Sequence, residues 1–338
     1  MWRIVESMDT SVADPAKVLD PLDRRIVSAL QIDGRAETRL MAEVLGVSAR
    51  TVARRLARMR EAGLLRVTRM PDPKGTGAVG ALVLRVRVLR GKVETLADAL
   101  AARPDVPFVD ILMGGEEIGA VVVPTAGDRD RLLYRQLPAT RAVAESTVHA
   151  VLHVHADAAQ WRAGWLDDGE VAALTPEDPG PPAGDAYAAG DAYAPDALDL
   201  RLLAVLDQDA RLPGAALAAE LGAPESTVRR RLRRLTGAGL LRTHVGVDPR
   251  LLGMAVDANL WLEVPPARLA EAGRVLAAHP RVHGVLATSG PANLLVALFC
   301  EDLGGLYRFT TEVLAPLGIA RAETTVVGRA VKRAGVRL

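Results

Sequence analysis

Ser48-Ala-Arg-Thr-Val-Ala-Arg-Arg-Leu-Ala-Arg-Met-Arg-Glu-Ala-Gly-Leu-Leu65 decides how this chain folds. At 100° per residue Val52, Leu56 and Met59 share one narrow stripe, while Arg50, Thr51, Arg54 and Arg58 face away from it. One side suits burial and the other suits an anion. Ser48 supplies an N-cap hydroxyl, and Gly63 stands where a helix stops. Upstream, residues 22–31 and about 39–45 read as two further helices, the second followed by the turn Gly46-Val47-Ser48. Two helices joined by a short glycine-containing turn, the later one carrying outward arginines, form the helix-turn-helix pattern.

The same pattern returns downstream. Leu22-Asp23 matches Leu198-Asp199, an offset of 176, and the offset holds without a gap to Arg66 and Arg242, with 20 identities in 45 positions. In the second copy Val228, Leu232 and Leu235 lie inside, and Ser226, Thr227, Arg230 and Arg234 outside. Weaker matches at the same spacing (Pro104/Pro280, Val106/Val282, Val109/Val285, Gly114/Gly290) extend the repeat, so the chain reads as a duplicated unit of roughly 150 residues.

After each basic helix the period changes. Residues 64–70 look extended; then Leu82, Leu84, Val86 and Val88 take one face of a strand, with Arg85 and Arg87 on the other. A helix with Val93, Leu96 and Leu100 inward follows, then strands near 106–113 and 118–123, a helix around 130–137 and a strand over 147–155. The second copy repeats the order from Val256 to Val331. This βαββαβ order predicts a ferredoxin-like sheet with helices on one face, whose bare face is covered by pairing the two modules face to face.

The expected layout is a flexible arm (1–18), a helix-turn-helix domain (19–68), a ferredoxin-like domain (69–165), an acidic Pro- and Gly-rich linker (166–197), a second helix-turn-helix domain (198–246) and a second ferredoxin-like domain (247–338). The linker repeats Gly184-Asp-Ala-Tyr187 as Gly190-Asp-Ala-Tyr193 and reads as a tether, with self-inhibition of the basic helices as the rival reading.

Composition narrows the function. Net charge is +1, yet of 42 basic residues only Lys17, Lys74, Lys92 and Lys332 are lysines, and arginine is the better reader of phosphate and guanine. The single cysteine, Cys300, excludes an internal disulfide and a thiolate metal cluster. No signal peptide or run of about 18 apolar residues is seen, so a cytoplasmic protein with no membrane partner is expected. No Ser-His-Asp or paired-carboxylate constellation falls on common elements, so neither enzymatic activity nor a cofactor is expected.

The DNA-facing candidates are Ser48, Arg50, Thr51, Arg54, Arg55 and Arg58, then Ser226, Thr227, Arg229, Arg230, Arg233 and Arg234. Arg50, Thr51 and Arg54, near the helix start, are best placed for base edges, while Arg58 and Arg60 suit the backbone. Ala49 becomes Glu225 and Arg50 becomes Ser226, so the two half-sites should differ. Pro224 replaces Ser48, giving up a capping side chain for a preset φ in the first turn. For a small ligand, backbone amides beside glycine at Gly114-Gly115-Glu116-Glu117, and at Ser289, Gly290 and Asn293 in the second copy, can hold a carboxylate in a cleft between modules; a ligand-free turn is the competing reading. Alternation places His149, His153 and His155 on one face with Val151; such histidines are usually surface or interface residues, and no metal site is expected.

These residues resemble the leucine-responsive regulatory protein (Lrp/AsnC, feast/famine) family. The first copy carries Leu22-Asp23-x-x-Ile26 through Asp33-Gly34-Arg35, then Ala42-x-x-Leu45-Gly46-Val47-Ser48-x-x-Thr51-Val52-x-x-Arg55-Leu56; the second matches from Leu198 to Leu241, and Val247-Asp248-Pro249-x-x-Leu252-Gly253 looks like the family's link into its effector domain. The resemblance implies an α+β chain of two winged helix-turn-helix domains, each followed by a ferredoxin-like effector (RAM) domain, arranged as an intramolecular pseudo-dimer. It implies a transcriptional regulator that binds double-stranded DNA, senses an amino acid or related metabolite, and self-associates into higher oligomers. Two alternatives stand beside it. Siroheme decarboxylases look like the same two-domain unit fused in tandem, but the Cys-Tyr-Arg-like segment associated with them is replaced by Val282-His-Gly-Val-Leu-Ala287. An architectural DNA-binding protein without an effector is the other.

Overall fold

The computed structural model describes residues 19–70, 80–124, 126–159, 161–176, 193–333 and 336–337. The arm and most of the linker lie outside these residues. Helix α1 (Pro21–Ile32) opens on a reciprocal capping box between Asp20 and Asp23. It buries Ile26, Val27 and Leu30 against Met41 of α2 (Thr38–Val44) and against Val52, Leu56 and Met59 of α3 (Ala49–Glu61). The apolar stripe of the opening stretch is therefore the core of this trio. Gly46 turns the chain between α2 and α3 at φ 67°, a left-handed conformation costly for any residue with a Cβ.

A single strand, β1 (Arg66–Arg69), follows. Next come β2 (Leu82–Val88), α4 (Val93–Ala101), β3 (Phe108–Leu112), β4 (Glu117–Val122), α5 (Ala126–Arg131), which continues into a π turn over Leu132–Gln136, and β5 (Val143–Ala156). A short helix, α6 (Asp168–Leu174), packs against α1 and α2. The order then recurs: α7 (Ala197–Gln208), α8 (Gly214–Leu221), α9 (Glu225–Gly237), β6 (Thr243–Gly246), β7 (Val256–Glu263), α10 (Pro266–Ala277), β8 (Val282–Thr288), β9 (Leu294–Cys300), α11 (Leu303–Arg308), β10 (Arg321–Arg333) and the two-residue β11 (Val336–Arg337). No helix among the described residues is long and apolar enough to cross a membrane.

The sheets meet more intimately than face-to-face packing requires. Strand β5 pairs with β8 of the other module, and β10 pairs with both β7 and β3. Together with the pairings within each module, these contacts close eight strands into a ring, β10-β3-β4-β2-β5-β8-β9-β7. The cause is length: β5 and β10 run 14 and 13 residues, overrun their own modules and hydrogen-bond to edges that would otherwise be bare. Helices cover the outside, with Leu96 and Leu100 of α4 against Leu84, Val86 and Ile118, and Leu276 of α10 against Leu260, Val285 and Val296. Inside, Val83, Trp261 and Leu295 form a plug.

Two expectations are corrected. Neither helix trio has a wing of its own among the described residues: β1 pairs antiparallel with β6, Arg66 opposite Gly246 and Arg69 opposite Thr243, so the two trios share one ribbon. The three histidines of β5 do not share a face. Register shifts at Val151/His153 and Val154/Ala156 put a bulge in the strand. His149 lies 6.1 Å from the Trp261 ring, whereas His155 sits against Gly273 of α10 on the outer side.

Candidate nucleic-acid interface

The basic helices divide by direction. Arg55 turns inward: its Nη1 donates to Asp20 and, at 3.0 Å, to Asp23, whose side chain is 1% exposed. Arg58 donates from Nη2 to the other oxygen of Asp23 at 2.5 Å. The second copy repeats this with Arg231 on Asp196 and Asp199 at 2.7 and 2.8 Å and Arg234 on Asp199 at 3.1 Å; Arg234 also stacks over Tyr193 at 4.4 Å. These hydrogen bonds raise the Arg55 and Arg231 guanidinium groups above their ordinary values. Placing Arg55 on the reading face is thus corrected: its guanidinium is held by the α1 capping box. Arg58 and Arg234 are half committed in the same way.

What remains outward is Arg50, Thr51 and Arg54 on α3, and Ser226, Thr227, Arg229, Arg230 and Arg233 on α9. Arg50 and Arg54 are exposed and make no ion pair among the described residues. Ser48 Oγ accepts from the Thr51 amide at 3.1 Å, capping α3. Pro224 occupies the N-cap position of α9 itself, not its first turn, and makes no capping bond; Glu225 instead pairs with Arg229 at 3.0 Å.

The two trios also hold each other through an exchange that the sequence reading did not interpret. Arg35 donates to the carbonyls of Ala210 and, at 3.1 Å, Leu212; Arg211 donates to those of Gly34 and Ala36 at 2.8 and 3.0 Å. Arg60 adds an ion pair to Asp209. The available signal was the identity Arg35/Arg211 at a polar position of the repeat. A helix-turn-helix core alone does not require an arginine there.

The expected ligand loops lie near the barrel end away from the β1–β6 ribbon. Glu117 lines a charged cleft of about 270 Å³ with Arg85, His149 and Glu323. Arg85 donates to Glu117 at 2.5 Å and to Glu323 at 2.8 Å, and lies over the Trp261 ring at 4.8 Å. Burial works against the Arg85 charge, but the two carboxylates outweigh it and raise its pKa; the hydrogen bond from Arg85 lowers that of Glu323. Glu116 pairs with Arg90 at 3.4 Å. Gly114 and Gly115 form the turn, the Gly115 amide donating back to Leu112. Gly290 abuts His149, so this turn reaches the same cleft.

Two of the second-copy residues are otherwise engaged. Asn293 clamps the Val264 backbone, accepting at 2.9 Å and donating at 2.8 Å, and Ser289 Oγ accepts from the Ala150 amide at 2.9 Å. Both side chains join strands, which corrects their expected place as ligand contacts.

Fold and surface together define a helix-turn-helix DNA-binding protein with a barrel. Comparison with known proteins makes the class specific. The AsnC-type helix-turn-helix domain matches residues 19–60 and again 196–236, and the Lrp/AsnC ligand binding domain matches 258–336. The chain is similar to the HTH-type transcriptional regulator Ptr1 of Methanocaldococcus jannaschii, 30% identical over 139 residues that span 40% of this chain and 94% of that one. It is also similar to AldR of Mycolicibacterium smegmatis, 28% identical over 137 residues, 39% of this chain and 80% of that one. This chain belongs to the Lrp/AsnC family of DNA-binding transcriptional regulators. Among solved structures, the siroheme decarboxylase NirDL superposes with a TM-score of 0.59 at 15% identity, covering 93% of each chain; that likeness is one of fold.

Proposed function

We propose that the chain acts as a covalent pseudo-dimer whose α3 and α9 read two related but unequal half-sites of one operator. The observation that carries this is the pair of outward basic faces at matching register, fixed to each other by the Arg35/Arg211 exchange and the shared ribbon. Arg54 and Arg230 occupy equivalent base-reading positions. Arg50 in one helix and Ser226 in the other supply the difference, since arginine selects guanine through two parallel bonds and serine does not discriminate as strongly. An amino acid or related metabolite binds at the Glu117 cleft, and self-association of whole chains follows from the family rather than from any contact in a single chain.

The test is a titration of labelled operator, obtained by genomic binding mapping, against wild type and Arg54→Ala/Arg230→Ala. The double variant loses about 2–6 kcal/mol of specific affinity, at roughly 1–3 per base contact, while weak nonspecific binding persists. Unchanged affinity removes the assignment of these reading residues. A symmetric operator removes the unequal pair. Adding candidate amino acids to the same titration reads the effector, and Glu117→Gln should blunt the response.

A further inference from the structure

The barrel end nearest the β1–β6 ribbon opens into a hollow of about 500 Å³, distinct from the Glu117 cleft. An adjoining hollow of about 140 Å³ runs inward and shares Phe108, His283 and Arg333 with it. Arg333, near the end of β10, donates to Asp257 of β7 at 2.5 Å and pairs with Asp110 of β3, so one guanidinium faces two carboxylates from both modules. All three side chains are 13–16% exposed. The neighbouring carboxylate Asp157 is matched by Arg242 at 2.6 Å.

His283 stacks on Phe299 with ring centroids 3.9 Å apart, and its Nε2 faces the Asp257 carboxylate at 3.5 Å. His244 of β6 is in the same wall, and its Nδ1 is enclosed without a partner. Burial pushes the pKa of His244 down to about 4, so the ring is neutral at neutral pH and its bare nitrogen offers a lone pair where it carries no proton. Burial, with the Asp257 charge adding to it, pushes Asp110 up to about 7 against the pull of Arg333. Phe108, Phe299 and Met254 supply an apolar wall. No group of three metal-ligating side chains occurs among the described residues.

We propose that this hollow binds a small organic cation, a protonated amine or guanidine on an apolar or aromatic body. Of the arginines lining the two hollows, Arg250 is paired with Asp248 and Arg329 with Glu94, while Asp110 and Asp257 share the single Arg333 guanidinium; that excess of acceptors, with the bare His244 nitrogen, disfavours a carboxylate ligand and rewards N–H groups. The aromatic rings accept the ligand body and can face its charge. The site takes Asp110 from one module and Asp257, His283 and Arg333 from the other, so it exists only in the closed barrel.

The test uses the full chain with tyramine and agmatine as probes and tyrosol, the neutral analogue of tyramine, as control, read by calorimetry and thermal shift. Tyramine binds at least about tenfold more tightly than tyrosol, the difference expected of one buried charge-assisted bond. Asp110→Asn loses that preference, and Phe108→Trp, which fills the hollow, loses binding while retaining circular dichroism and operator affinity. Equal binding of tyramine and tyrosol, or unchanged tyramine binding in both variants, overturns the proposal. Uptake of iron-uroporphyrin III with no response to either amine overturns it as well. Either failure leaves the DNA-binding reading intact, because operator affinity is measured separately.

Discussion

The two helix trios differ least where they fold and most where they face outward. Asp23/Asp199, Arg55/Arg231, Arg58/Arg234 and Arg35/Arg211 are identical pairs, and each makes an equivalent contact in both copies. The outward positions diverge: Ala49 against Glu225, Arg50 against Ser226, Ala53 against Arg229, Ala57 against Arg233. Identity between the copies marks the frame and, at Thr51/Thr227 and Arg54/Arg230, the outward positions they share; the differences mark what sets the two faces apart. Arginine is used for both purposes, so residue type alone does not separate them; the partner does.

The comparison breaks most sharply at the exchange. Arg35→Ala/Arg211→Ala removes four bonds to carbonyls and is expected to cost about 4 kcal/mol in denaturant unfolding, since hydrogen bonds to charged groups are the strong ones. If the frame reading holds, it also weakens binding to a full operator far more than to a single half-site. Equal losses on both DNAs would show that the exchange does not set the pairing. Next in size is Asp23→Ala, which leaves Arg55 and Arg58 without their buried anchor and the Asp20 amide without its return bond in the capping box; about 3 kcal/mol is expected, and Asp199→Ala should match it. A large gap between these two values would mean that the copies are not framed alike. The smallest effect tests the caps. Ser48→Ala should lose about 1 kcal/mol and Pro224→Ala less than about 0.5, because only Ser48 makes a capping bond.

The helices were readable because the 3.6-residue period of Val52, Leu56 and Met59 is a local property, and the trios were readable twice over because the repeat preserves it. Arg55 was misplaced for a related reason. A helical wheel gives angle but not reach, and a flanking arginine can bend to a carboxylate 35 residues earlier. Strand alternation served Arg85, which does point into the barrel, and failed between His149 and the neighbouring pair His153 and His155, because the register shift at Val151/His153 interrupts it. Asn293 and Ser289 look like polar loop residues in sequence, yet their hydrogen bonds go to the backbone of Val264, just beyond β7, and of Ala150 in β5. The cluster of Asp110, Asp257 and Arg333 had no sequence signal, since its members come from three strands in two modules.

The ring of eight strands has a temporal consequence. The first module ends at β5 with one edge at β3 and the other at β5, and both wait for partners in the second half, β10 arriving last. At ribosomal speeds of about 5–20 residues per second, the second half takes roughly ten to thirty seconds to emerge, during which the first module is open-edged. Its nearest competitor is another nascent first module with the same edges. Joining the halves in one chain sets the correct partner at millimolar effective concentration once it appears, so closure within the chain outruns mispairing between chains.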